Sequence, residues 1–171
     1  MGKRTIKVDF LLFILVLVLT LHGGSSAPDI SSRLPLAMRT ITLIRSRGCA
    51  QDMLREKMTT TFTVEIVTEK DDMKKGLSGR EGMPLENGML FVLNQKEPQA
   101  FWMKGMRFPL DIIFFDRERK IIEILENLQP CEQCSVFFTK EPAMYALEIN
   151  AGLSRKYGLG KGDTLVFEAP Q

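Results

Sequence analysis

The chain has 171 residues, 44% hydrophobic and 26% charged, the composition of a globular protein rather than of a disordered or wholly membrane-embedded one. Its 23 basic and 21 acidic residues give a net charge of +2, and setting aside Lys3, Arg4, Lys7 and Asp9 leaves 20 of each sign. A near-neutral chain lacks the basic stripe of a nucleic-acid binder, so that class is excluded, and the length leaves room for one ordinary domain beside a leader and a linker.

The first segment is a basic stretch followed by Phe10–Leu21, twelve apolar or nearly apolar residues, and then by small residues up to Ala27. Such a run is too short to span a bilayer comfortably and has the organisation of a secretory signal peptide over residues 1–26; an uncleaved N-terminal anchor is the alternative. Either way the expectation is an exported chain, periplasmic or extracellular, that meets a membrane only through an uncleaved leader. Residues 27–60 carry Pro28, Pro35 and scattered arginines without a sustained period. They read as a linker or accessory segment, in which Arg39–Ile44 could make a short strand and Gln51–Met58 a helical turn.

The domain proper, residues 61–171, begins on Thr61–Thr68, where Phe62, Val64 and Ile66 alternate with Thr63 and Glu65 as in a half-buried strand. Thr68 and Asp71 have the spacing of a capping box and predict a helix over Glu69–Leu77, with Met73 and Leu77 on its buried face. Gly76 and Gly79 end it. Two apolar runs of strand length follow, Met89–Leu93 and Leu110–Phe115. The second is apolar apart from Asp111, so both of its faces should be covered, as in a central strand. The Asp111 carboxylate needs a partner or a wet cleft, because burying an isolated charge is costly, and Lys104 and Arg107 are its nearest cations by sequence. Between the runs lies FWMKGMRFP, which gathers the sole tryptophan, a lysine, an arginine and two methionines in one loop-like segment. Lys120–Leu128, Val136–Thr139, Met144–Ile149 and Thr164–Glu168 complete a series of short strands separated by turn signals. That pattern predicts a mainly β fold, a small β-barrel or β-sandwich with one or two short helices.

Candidate chemistry is spread along these elements. In an oxidising compartment Cys131 and Cys134 of PCEQC most simply form a local disulfide, leaving Cys49 over. The only histidine, His22, lies in the leader, so zinc held by the cysteines would lack ligands, and neither metal nor cofactor is expected. Trp102 could stack on a sugar or planar ligand, or fill the core. Lys104, Asp111 and Glu148 could act as a general acid/base set with Arg80 holding an anion, or could be a structural ion-pair network at the mouth of the barrel. Met83, Met89, Met103 and Met106 could offer thioethers to copper, but methionines in apolar runs also fill core gaps. A redox role for CEQC would need a βαβ setting that the flanking sequence does not provide.

KKGLSGREGMPLENGMLFVL, FWMKGMRFPLDIIFFD, PCEQC and ALEINAG stand here in the order found in the family catalogued as domain of unknown function 192 (DUF192), which residues 62 to 168 resemble. The resemblance implies a compact β-rich domain of barrel or sandwich type, often behind a signal peptide, and no assigned activity. Two motifs depart from the family's pattern. Its GLM reads Gly76-Leu77-Ser78 here, and its FWMKNT ends in Gly105-Met106, which removes two hydrogen-bonding side chains beside Lys104. The resulting expectation is an exported, non-catalytic envelope domain that binds a small molecule, glycan or envelope protein through Arg80, Trp102, Lys104, Asp111 and Glu148. The alternatives are an envelope enzyme using Lys104, Asp111 and Glu148, or a methionine- and cysteine-based copper or redox protein.

Overall fold

The structure, a computed structural model, describes residues 38–45, 58–93 and 99–167. The leader, Cys49 and most of the Gln51–Met58 segment lie outside the described residues. In chain order the elements are strand β1 (Met38–Ile44), β2 (Thr59–Val67), helix α1 (Lys70–Lys75), β3 (Asn87–Val92), β4 (Ala100–Phe101), β5 (Leu110–Phe115), β6 (Ile121–Leu128), β7 (Phe137–Phe138), β8 (Tyr145–Asn150), helix α2 (Leu153–Lys156) and β9 (Thr164–Val166). One sheet runs in the order β6-β5-β8-β3-β2-β1-β9, while β4 and β7 pair in a separate ribbon. Neighbouring strands are antiparallel except β2 and β3, whose connection through α1 leaves them parallel. Ile121 N–H donates to the Asp163 carbonyl and Leu165 N–H to that of Arg119, both at 2.8 Å, around a bridge between Lys120 and Thr164. The start of edge strand β6 thereby meets edge strand β9, and the sheet curls into a half-barrel. This is the mainly β, barrel-like class that the strand spacing predicts, with two short helices among the described residues.

Each face of the curled sheet has its own core. Phe62, Val64 and Ile66 of β2 turn inward with Ile41 and Leu43 of β1 and Ile113 and Phe115 of β5. Met89, Phe91, Ile112 and Phe114 point the other way, under Leu77, Met103 and Met106 from the connecting segments. β5 is therefore buried at every position, which is why its sequence shows no alternation. The same two-sided cover makes the strands approach closely. A Cβ on Gly88 of β3 would lie 2.8 Å from the Glu148 carbonyl oxygen of β8, so only glycine fits there.

The short strand read at Arg39–Ile44, within the linker or accessory segment, is Met38–Ile44, a full strand of the sheet paired with β2 along its length and with β9 near its end. Ile41 and Leu43 are wholly buried, and their alternation with Thr40 and Thr42 is the signal that outweighs the surrounding prolines and arginines. The capping box does not form. Glu69 is the N-cap of α1 without a side-chain cap bond, and Thr68 Oγ1 donates instead to the Glu69 carboxylate at 3.4 Å. The helix stops at Lys75, because Gly76 takes a positive φ of 47° that other residues rarely adopt.

Candidate functional site

Strand register sets four side chains in a row on the outer face of the sheet. Glu65 of β2 is opposite Met89 of β3, Met89 opposite Glu148 of β8, and Glu148 opposite Ile112 of β5. A carboxyl thus stands in a row that is otherwise apolar at its centre. Above it, α1 and the turn after it form one wall and the β4–β7 ribbon the other. The ribbon is anchored by Phe101, which packs edge-on against Phe91 and Phe114 with ring centroids 6.1 and 5.0 Å away. The groove between the walls has a volume of about 130 Å³ and is lined by Met73, Lys74, Lys75, Leu77, Phe91, Phe101, Trp102, Met106 and Glu148, among others.

Glu148 is 8% exposed and sits at the floor of this groove. Among the described residues its carboxyl has neither a hydrogen-bond partner nor a cation, and burial pushes its pKa up to about 8. At neutral pH the group is therefore mostly a neutral acid, with one O–H to donate and one carbonyl oxygen to accept. Trp102 is 42% exposed at the mouth, large and apolar yet only partly covered. The rim carries Lys74, which stands 3.9 Å from the exposed Asp71, and Lys75, which makes no ion pair among the described residues.

The sequence-predicted residues divide. Trp102 and Glu148 come together in the groove. Arg80 instead makes a bidentate pair with Glu65, one arm at 2.8 Å, and donating to the Glu65 carboxylate raises the guanidinium pKa further. Asp111 lies on the opposite face of β5 from Glu148, fully buried and fully satisfied. It accepts from Asn127 N–H at 2.8 Å, from Ser154 N–H at 3.0 Å and from the Ser154 hydroxyl at 2.6 Å. The expected cations are elsewhere: Arg107 pairs with Glu81, and Lys104 is exposed. Lys104, Asp111 and Glu148 therefore do not form a set, because the cation nearest in sequence is not the donor nearest in space.

The surroundings of the groove explain other motifs. Cys131 and Cys134 are disulfide-bonded, with their Cα atoms 5.4 Å apart, and Cys131 bridges in parallel to Lys104, so the PCEQC loop pins the segment that carries Trp102. Met89, Met103 and Met106 are buried in the outer core with Met83 packed against it, so the methionines fill space there. The two departures from the family motifs meet each other. Ser78 Oγ donates to the Lys104 carbonyl at 3.1 Å, and a Cβ on Gly105 would lie 3.5 Å from the Ser78 side chain. Lys74 and Lys75 were not legible as site residues, since two lysines at a helix end read as a solvated face.

Comparison with known proteins follows the same outline. The profile of DUF192, described as Uncharacterized ACR, matches residues 53–167. A crystal structure of a putative transcription regulator from Sinorhizobium meliloti 1021 is similar, with 30% identity, a TM-score of 0.69, and coverage of 78% of this chain and 96% of that one. A protein of unknown function from Novosphingobium aromaticivorans DSM 12444 has 27% identity and a TM-score of 0.68, over 84% of this chain and 94% of that one. The comparison with curated proteins gave no match.

Proposed function

The chain belongs to the DUF192 family, and on that premise we propose that it is a non-catalytic binding domain of the cell envelope that holds a small molecule between Trp102 and Glu148. The observation that carries this reading is the Glu148 carboxyl, buried at the groove floor without a partner among the described residues. Its oxygens are reached from the groove rather than sealed in the core. A ligand that offers both a donor and an acceptor would take the place of solvent on this carboxyl. A concave, mainly apolar lining with very few polar groups is the usual build of a small-molecule site. The envelope location rests on the leader sequence. A role in transcription, which the description of the Sinorhizobium meliloti protein names, gains no support from helices of six and four residues among the described ones, too short to serve as a recognition helix.

A thermal-shift screen of the full chain tests the proposal, since a ligand of the native state raises the melting temperature. The expected result is a compound that stabilises the wild type and does nothing for Trp102→Ala or Glu148→Ala. Compounds that stabilise both variants as much as the wild type would refute the site.

One observation favours a second reading. A carboxyl titrating near 8 holds its proton as a general acid would. Under that reading Glu148→Gln abolishes conversion of a bound compound while leaving its affinity intact. A binding domain shows no conversion in either protein.

A further inference from the structure

We infer that the groove selects an anionic single-ring molecule: its ring against Trp102, a hydroxyl or amide on the Glu148 carboxyl, and a carboxylate at Lys74 and Lys75. This rests on the binding reading above and adds the ligand class to it.

Size comes first. About 130 Å³ is close to the roughly 150 Å³ of an apolar cavity that accepts benzene, so the groove has room for one six-membered ring. The apolar walls and the half-exposed indole suit a ring face rather than a flexible chain. Charge comes second. Among the described residues, Lys74, Lys75 and Glu148 are the charged types on the lining. With the acid neutral, the groove is electropositive at its rim and uncharged at its floor, which favours an anionic group outside and a neutral hydrogen-bonding group inside. A ligand cation would meet two lysines on the way in.

The surroundings of Glu148 fix the sense of the pH effect. β3 and β5 place Met89 and Ile112 beside it, and α1 contributes Lys74 and Lys75. The remaining charges on its face among the described residues, Glu65 and Arg80, neutralise each other two strands away. Ionising Glu148 therefore removes the O–H donor and adds a negative charge facing an anion. Affinity should fall as pH rises through the titration of this group.

The chain's only tryptophan is Trp102, so its fluorescence reports occupancy of the groove directly. The full chain is titrated with two matched pairs, glucuronate against methyl glucoside and 4-hydroxybenzoate against phenol. The expected result is that in at least one pair the acid binds roughly fivefold or more tighter than its neutral twin, the size of two exposed charge contacts. Lys74→Ala with Lys75→Ala closes that gap without lowering the melting temperature of the free protein, since both side chains are exposed. Glu148→Gln removes the pH dependence of the affinity, whatever its level. Equal binding of the twins, or a preference that survives in the double lysine variant, would overturn the inference and leave the binding reading standing. Silence from both acids also overturns it, and only a barren thermal-shift screen would bring down the binding reading with it.

Discussion

At the scale of single residues, Glu148 and Asp111 are two buried carboxyls handled in opposite ways. Asp111 is held by three hydrogen bonds from β6 and α2, so Asp111→Ala strands two backbone donors and a hydroxyl in a dry site. The expected loss is about 3–5 kcal/mol in a denaturation experiment, with ligand binding unchanged because the groove is on the other face. Glu148 has no such partners among the described residues, and its burial appears as proton linkage. Its pKa rises from 4.5 to about 8 on folding, so between those values the native state binds more protons than the unfolded one. The contribution is fully favourable below about 4.5 and is lost as pH rises towards about 8, at about 1.4 kcal/mol per pH unit within the window. Denaturation of wild type and Glu148→Gln at pH 5 and pH 8 should therefore show the wild type losing ground to the variant at the higher pH. Parallel curves would mean that the carboxyl is solvated. From the sequence, Glu148 was legible only as a candidate acid grouped with Lys104 and Asp111. The partner of Asp111 was not legible, since Ser154 is 43 residues away and arrives only through the β5–β8 pairing.

At the scale of elements, the groove depends on two pieces of backbone being held close. Gly88 lets β3 lie against β8 beneath Glu148, and Gly88→Ala drives a methyl into the Glu148 carbonyl. Overpacking of this kind costs about 1–3 kcal/mol, and here it also shifts the strand that carries the floor of the groove, so ligand affinity should fall along with stability. The disulfide works on the other wall. Its loop is short, so Cys131→Ser with Cys134→Ser should cost no more than about 2 kcal/mol by loop entropy. The bridge from Cys131 to Lys104 directs the loosening to the Trp102 segment. Hydrogen exchange should show faster opening there and little change in β5. β5 was legible because a strand buried on both faces has no alternation to disguise it. β1 was legible only as a possible short strand at Arg39–Ile44, among prolines and arginines, and the capping box failed because Thr68 bonds the adjacent Glu69 rather than the helix backbone.

At the scale of the whole molecule, the curl of the sheet turns one face inward as a self-contained core and leaves the outer face to be covered by connections. Those connections, α1 and the β4–β7 ribbon, cover it incompletely, and the groove is where they part over Glu148. Strand spacing announced the barrel-like class, since period and turn residues are local signals. The site was only half legible, because Trp102 and Glu148 meet through long-range register while Lys74 and Lys75 carry no pattern that separates a rim from a solvated helix end. Everything proposed for the groove depends on its floor being a neutral, unpartnered acid. Carboxyl carbon-13 titration of the full chain, with Glu148→Gln identifying the resonance, measures that state directly. The expected result is a single glutamate midpoint near 8 that disappears in the variant, and a Glu148 midpoint between about 4 and 5, the ordinary carboxyl range, would contradict it.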